Sequence, residues 1–265
     1  MTQESEVLQE WREQARYWER HGPTIKQILA PVTRALIEDA GIVEGFEVLD
    51  VAGGPGEPSL TIAEVVGPKG SVTCTDAIAE MVHAAEGEAS RRGLTNIKFR
   101  QCTADSLPFD DNRFDVVVCR LGVMFFPDPL LGIREMLRVA KPGGTLSLAV
   151  WGKSELNPFS YTVSNVTSRY LKTPPADMDA PGAFRFAESG KLARLLEQAG
   201  ATRVSERLLE FRLEAGITPA EFWTLRSETS GTLRKNLETI SKEVRDQIAT
   251  EVQKSLSEFW THSLK

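Results

Sequence analysis

The amino-acid sequence predicts an α/β fold, a doubly wound and mainly parallel sheet with an N-terminal helical lid and helical insertions. Two observations carry this prediction. Between residues 46 and 152, short apolar runs alternate with segments whose apolar side chains recur every three or four positions, which is typical of parallel strands joined by helices. The first run, at 47–51, leads into a turn with three glycines in four positions, where the backbone can approach a ligand closely.

The individual elements follow from the apolar spacing and from the turns between them. Strands are predicted at 47–51, 71–75, 96–101, 114–119 and 145–151. Helices between them are predicted at 59–66, 79–92 and about 130–139, because their apolar residues share one helical face. Outside this core the sequence predicts helices at 5–20, 24–40, 158–171 and 188–199, one or two strands at 201–213, and a helical tail from about residue 233.

The chain length suits one large domain with additional segments, since 41% of its 265 residues are hydrophobic. We predict a helical lid at 1–40, a cofactor-binding core at 41–152, an insert on the substrate side at 153–187, and a last part at 188–265 that completes the core and adds the helical tail. The tail is expected either to cover the pocket or to form a homodimer.

Charge and composition argue against several classes of function. The net charge of −6, the isoelectric point near 5.3 and the lack of a dense Lys/Arg run argue against a nucleic-acid partner. No apolar run reaches the length of a membrane span, and the polar N-terminus does not read as a signal peptide, so we expect a cytoplasmic protein. Cys74, Cys102 and Cys119 have no metal-binding spacing, so we expect reduced thiols and no metal.

The residues of the glycine-rich turn distinguish between three classes of nucleotide-like ligand. A phosphate-binding loop needs a lysine after its last glycine, but Glu57 follows Gly56 here. A dinucleotide site needs a third small residue, and Ser59 satisfies that pattern only in part. The carboxylate of Asp50 would repel a pyrophosphate and attract an ammonium and a sulfonium. S-adenosylmethionine carries both cations, and the N-terminus of the following helix can accept its carboxylate.

Three acidic residues, Asp50, Asp76 and Asp105, stand at or just after the ends of successive predicted strands. The carboxyl ends of parallel strands lie at one edge of a sheet, where such folds bind their ligands. An acid at 76 can accept both ribose hydroxyls of S-adenosylmethionine, and an acid at 105 can accept its adenine amino group. The alternative is that these aspartates cap the helices that follow them.

Five segments within residues 46–152 resemble a class I S-adenosylmethionine-dependent methyltransferase of the small-molecule branch, near the quinone C-methyltransferases. They read VLDVAGGPG at 48–56, TD at 75–76, ADSLPF at 104–109, FDVVVCR at 114–120 and RVAKPGG at 138–144. Family members usually carry glycine where Ala52 stands, a departure that is mild if the backbone angle there is ordinary. The terminal signatures of the quinone enzymes are missing, so their substrate does not carry over.

The resemblance implies S-adenosylmethionine as cofactor and S-adenosylhomocysteine as product. The predicted cofactor-binding residues are Asp50, Ala52, Gly53, Gly54, Gly56, Asp76, Ala77, Met81, Ala104, Asp105, Ser106 and Arg120.

Six residues are candidates for contact with the methyl acceptor: Trp11, Tyr17, Trp18, Met124, Phe125 and Trp151. The three in the lid can cover a sulfonium by cation–π contact, or can pack as an apolar stripe on the second helix. Those after the fourth and fifth strands can line the pocket or pack in the core. Arg120 can anchor an acidic or carbonyl-bearing acceptor, or can hold a loop by a salt bridge.

The sequence therefore predicts an enzyme that transfers a methyl group from S-adenosylmethionine to a small-molecule acceptor by in-line displacement. Aromatic residues near the pocket mouth favour an aromatic or lipid-like acceptor. No residue stands out as a general base. Two alternatives stay open: a non-catalytic regulatory subunit that binds S-adenosylmethionine, and a nicotinamide-dependent oxidoreductase.

Overall fold

The structure of the protein, a computed structural model, describes residues 3–171 and 177–260. Its centre is one sheet of five parallel strands in the order β3-β2-β1-β4-β5. The sheet confirms the predicted doubly wound fold. The strands are β1 (Glu47–Val51), β2 (Ser71–Asp76), β3 (Ile97–Gln101), β4 (Phe114–Arg120) and β5 (Ala140–Ala149).

Helices cover both faces of the sheet. They are α1 (Gln3–Arg20), α2 (Gly22–Asp39), α3 (Ser59–Val66), α4 (Ala79–Arg92), α5 (Pro129–Val139), α6 (Pro158–Thr167), α7 (Lys191–Ala199), α8 (Pro219–Thr229), α9 (Gly231–Glu238) and α10 (Lys242–Ser257). None of the helices in this part of the chain is both long and apolar enough to cross a membrane.

The side chains of β1 and β4 divide between two apolar layers, because successive residues of a strand point to opposite faces. Val48 and Val118 pack with α2 and α3 on one face. Leu49 and Val117 pack with α5 and α7 on the other. Both layers exclude water from the strands, which explains why these central strands are continuous apolar runs in the sequence.

The C-terminal helices form a separate apolar cluster with α6. Val163 and Val166 of α6 pack against Phe222 of α8 and Ile248 and Val252 of α10. The predicted helical tail is thus three helices, and Ser230 and Ser241 start the second and third by accepting backbone N–H bonds.

The prediction of strands at 201–213 is wrong, because the structure has no strand there and β5 is the edge of the sheet. Leu209, Phe211 and Leu213 nevertheless pack on the cluster that contains Ile25 and Leu29. Their alternation in the sequence therefore reflects burial of one side of an extended segment, without pairing to a neighbour. Smaller differences are that β5 begins five residues earlier than predicted, with an irregular register opposite Phe114–Val116, and that α6 ends at Thr167.

Helix α5 offers a matched test of the core that supports β4. Ile133 is fully buried and Leu131 is 42% exposed on the same helix. Ile133→Ala is expected to lower the free energy of unfolding by about 2–5 kcal/mol, because it leaves a cavity against the sheet. Leu131→Ala should change it by no more than about 0.5 kcal/mol. Urea unfolding followed by circular dichroism measures both, and equal effects would contradict this packing.

Candidate cofactor and acceptor site

The carboxyl ends of the central strands open into one cavity of about 990 Å³. Most of the predicted cofactor residues lie in its wall, contributed by the β1 turn, the end of β2, the loop after β3 and the end of β4. Those in the wall are Ala52, Gly53, Gly54, Asp76, Ala77, Met81, Ala104, Asp105 and Arg120.

The turn after β1 is shaped by close backbone contacts. A Cβ on Gly53 would lie 2.7 Å from the Cys74 sulfur and 2.8 Å from Asp50 Oδ2, so a side chain there would collide with the floor of the site. Ala52 has φ 58°, in the left-handed region that favours glycine. The departure from glycine at 52 is therefore accommodated at some strain, because the backbone angle there is not an ordinary one.

Asp76 joins the ends of β1 and β2. Its Oδ2 accepts the backbone N–H of Gly54 at 2.9 Å, and its Oδ1 accepts that of Ile78 at 2.9 Å. Burial raises the pKa of Asp76 to about 6, although these backbone hydrogen bonds favour the ionised form. Each carboxylate oxygen keeps a second lone pair for a ligand.

Asp50, which was predicted to contact the cofactor, lies behind the turn and does not line the cavity. It points to the same face as Val48, toward Ser59, the first residue of α3. The Ser59 hydroxyl donates to Asp50 Oδ2 at 2.6 Å, and Oδ1 has no hydrogen-bond partner among the residues that the structure describes. Asp50 is fully buried, and this desolvation raises its pKa to about 7.

Two further predicted cofactor residues do not line the cavity. Ser106 is exposed. Gly56 is buried against Leu60 and Ala85, where a Cβ would lie 2.7 Å from Leu60 Cδ1. Gly56 therefore allows α3 and α4 to approach the turn and does not itself face the cavity.

Three of the six predicted acceptor residues lie together in the cavity wall. The ring of Trp11 is 5.6 Å from that of Trp18 and 4.9 Å from that of Phe125, centre to centre. The Trp18 indole N–H donates to the Thr229 carbonyl oxygen at 3.3 Å, which ties the lid helix α1 to the end of α8. The predicted helix spacing of the two tryptophans thus places both on one side of the cavity.

The other three lie elsewhere. The Tyr17 ring centre is 4.6 Å from the Arg16 guanidinium and 5.0 Å from that of Arg234 in α9, and the ring does not line the cavity. Met124 is 1% exposed and belongs to the core on the α5 face. Trp151 packs on Phe159, with the ring centres 5.7 Å apart.

Trp151 lines a second cavity, which lies between β5 and residues 200–217. This cavity measures about 2250 Å³, and its wall includes none of the three acids predicted to bind the cofactor. Leu121 lines both cavities and separates them. The larger cavity lies beside the site, and its wall mixes apolar side chains with charged ones such as Lys141, Arg207 and Glu210. None of the described residues of the 153–187 insert lines the smaller cavity, whereas Lys153, Phe159 and Phe186 line the larger one.

The sequence reasoning missed an ionic cluster at the start of α3. The Glu57 carboxylate is 2.8 Å from Arg92 and 3.3 Å from Lys26, and it accepts the Thr61 hydroxyl at 2.6 Å. Burial alone would raise the pKa of Glu57, but the Thr61 and Arg92 hydrogen bonds outweigh it and lower the pKa. The only sequence signal was a carboxylate directly after the last glycine.

Across residues 3–171 and 177–260, no three His, Cys, Asp or Glu side chains converge to form a metal site.

A glycine turn after the first strand, an acid at the end of the second and a further acid after the third define the class I S-adenosylmethionine-dependent methyltransferases. An S-adenosylmethionine-dependent methyltransferase of Aquifex aeolicus has a similar structure, with a TM-score of 0.52 and 25% sequence identity over 67% of this chain and 82% of that one. The cofactor class is therefore S-adenosylmethionine.

The model of the ubiE/COQ5 methyltransferase family matches residues 32–172, and the chain belongs to that family. A ubiquinone/menaquinone biosynthesis C-methyltransferase of Hahella chejuensis is 33% identical over 178 residues, which are 63% of this chain and 71% of that protein. An uncharacterized protein of Mycobacterium tuberculosis is 37% identical over 126 residues, 48% of this chain and 44% of that protein. The chain spans about half the length of most of the curated relatives it matches.

The raised pKa of Asp50 predicts a pH-dependent stability of the ligand-free protein. Because the folded pKa is about 7 and the ordinary value is 3.8, folding favours the protonated acid. The resulting stability is complete below about pH 4 and is lost as the pH rises through 7, on the order of 4 kcal/mol in total. Asp50→Asn removes this dependence.

Urea unfolding at pH 5 and pH 8 measures the effect. The difference in unfolding free energy between the two pH values should shrink in Asp50→Asn and persist in Asp110→Asn, which changes an exposed turn residue. An undiminished difference in Asp50→Asn would show that Asp50 is ionised throughout.

Proposed function

We propose that the protein transfers the methyl group of S-adenosylmethionine to a small-molecule acceptor of aromatic or lipid-like character. The observation that carries this proposal is one cavity with two unlike walls. The glycine turn, Asp76 and Asp105 form a polar wall, and Trp11, Trp18 and Phe125 form an aromatic one.

The residues of the polar wall fit the cofactor. Asp76 would accept the ribose hydroxyls on its free lone pairs, and Asp105 would accept the adenine amino group. Glycine at 53 lets the backbone that lines the cavity lie close over Cys74 and Asp50, where a Cβ would collide with them. Asp50, Gly56 and Ser106 are not in the wall, so within this proposal Asp50 and Gly56 position the turn, and Ser106 has no contact to offer.

The cofactor, when bound, supplies a methyl group on a sulfonium, which is already a good leaving group. The protein then has to orient the acceptor and exclude water, and such positioning can lower a barrier by about 7–11 kcal/mol in favourable cases. The rings of Trp11 and Trp18 can exclude water from the site. They can also attract the sulfonium of the cofactor by the cation–π effect.

The size of the cavity supports a second ligand. Its volume of about 990 Å³ is at the upper end of the range of roughly 300–1,000 Å³ for ligand pockets. Leu29 and Leu121 extend the aromatic wall with apolar surface. An acceptor with an aromatic ring or an apolar tail would be held by these side chains.

Family membership removes the support for a nicotinamide oxidoreductase, and a non-catalytic subunit that binds S-adenosylmethionine remains the alternative. A cytoplasmic location and a homodimer through the C-terminal helices remain predictions from the sequence.

Methyl transfer can be measured directly. Purified protein incubated with S-adenosylmethionine labelled with tritium on the methyl group, and with a fractionated metabolite extract, should label compounds in the organic-extractable fractions. Reactions without extract are the control. Saturable binding of S-adenosylhomocysteine without any labelled product would instead identify a non-catalytic binder.

Asp76→Asn tests the cofactor assignment. Loss of charge-assisted hydrogen bonds, each worth about 1.5–3 kcal/mol, should weaken S-adenosylhomocysteine binding about 10- to 100-fold in calorimetry. The asparagine oxygen can still accept a backbone N–H, and circular dichroism checks that the fold persists. Asp110→Asn, in an exposed turn, should bind like the wild type. Unchanged affinity in Asp76→Asn would refute the role.

A further inference from the structure

Arg120, the last residue of β4, connects three parts of the site. Its Nη1 donates to the Thr33 hydroxyl of α2 at 2.7 Å, and its Nη2 donates to the Glu57 carbonyl oxygen, just after the glycine turn, at 2.8 Å. The side chain also lines the cofactor cavity. These two bonds fix the plane of the guanidinium group.

The guanidinium group has no anionic partner within the described part of the chain. Its Nε is shielded from solvent and makes no hydrogen bond. The nearest candidate acids are otherwise engaged, since Glu57 is paired with Arg92 and Lys26, and Asp50 accepts from Ser59. Desolvation lowers the pKa of Arg120, which expresses the same strain.

A buried cation without a counterion is unfavourable, so a bound anion would relieve this arrangement. S-adenosylmethionine has one anionic group, the carboxylate of its amino-acid end, whereas its ammonium and sulfonium groups would be repelled by a guanidinium. An N–H donor on a rigidly held cation matches a carboxylate oxygen well.

The order of the strands places Arg120 at the correct end for this contact. Asp105 follows β3, Asp76 ends β2, Gly53 follows β1, and Arg120 ends β4, which is the order of the strands across the sheet. A molecule with its adenine at Asp105 and its ribose at Asp76 continues over Gly53 toward Arg120. The order of groups in the cofactor is the same: adenine, ribose, sulfonium, amino acid.

We propose that Arg120 binds the cofactor carboxylate through the Nη1 and Nη2 hydrogens that Thr33 and Glu57 leave free, and thereby makes the site select amino-acid-bearing adenosyl compounds. This inference rests on the proposed function, because it assumes that the cofactor occupies this cavity.

The test compares S-adenosylhomocysteine with its decarboxylated analogue, which keeps the amine and lacks the carboxylate. In calorimetry, the wild type should bind S-adenosylhomocysteine about 10- to 100-fold more tightly than the analogue. Arg120→Gln should weaken S-adenosylhomocysteine binding until the two affinities are nearly equal, with little loss for the analogue. Arg120→Lys should retain part of the preference, because it keeps the charge.

Lys26→Gln is the matched control, since it removes an equal charge from the same cavity wall at a side chain that is 41% exposed and paired with Glu57. The preference should persist in this variant. If it disappears in Lys26→Gln and persists in Arg120→Gln, Lys26 is the anchor and the inference is wrong. If Arg120→Gln keeps the preference at the wild-type level, the inference is wrong.

The wild-type measurement distinguishes failure of the Arg120 role from failure of the proposed function, and it does not depend on the folding of any variant. Equal wild-type affinity for the two ligands overturns the role of Arg120 and leaves the proposed function intact. Absence of S-adenosylhomocysteine binding overturns the proposed function itself.

Discussion

The carboxylate of Asp76 is the contact on which the site depends, because it holds two strand ends together. By accepting the N–H groups of Gly54 and Ile78, it fixes the turn after β1 against the start of α4. The turn has glycine at 53 and a left-handed alanine at 52, whose methyl group is the small side chain that packs on the apolar layer of α5. Its shape is therefore set by this carboxylate and by the buried sulfur and carboxylate beneath it.

The ionisable groups around the turn lower the stability of the ligand-free folded protein when they are charged. Asp50 and Asp76 are acids in a dry environment, and their pKa values of about 7 and about 6 show that the fold alone does not compensate their ionisation. Arg120 is the complementary case, a buried cation that feels the charges of Glu57 and Asp50 but forms no ion pair with a described residue. Groups of this kind are common where a ligand completes the electrostatics. Asp50 belongs to β1 and Asp76 ends β2, and Arg120 ends β4 on the other side of β1.

Much of the fold could be predicted from the sequence, because local patterns and tertiary structure agree in the core. Strand β1 and helices α3 and α4 have the predicted bounds, since glycines and prolines end each of them sharply. The alternation of apolar residues at 201–213 led to the wrong prediction of strands, because burial of one side of an extended segment has the same period as a strand. Pairing to a neighbour is a non-local property that a single segment does not encode.

The side-chain directions in the site were less predictable than the elements. Asp50 belongs to a buried strand whose pleat turns it toward α3, and a one-residue difference in register would have turned it to the opposite face. Tyr17 is adjacent to Trp18 but points away from the cavity, because neighbouring residues on a helix do not share a face. Met124 precedes Phe125 in a short turn, and only Phe125 faces the cavity.

The division between the two walls explains why family membership does not determine the acceptor. The matched residues, 32–172, contain the glycine turn, Asp76, Asp105, Arg120 and Phe125. Trp11 and Trp18 precede that range, and the Thr229 carbonyl that holds Trp18 follows it. The same helix α8 also holds the end of the lid, since Glu228 is 2.7 Å from His21 and 3.2 Å from Arg20. In the proposed function, the wall nearest the acceptor is thus built partly from segments outside the family match, and that part can vary while the cofactor wall stays the same.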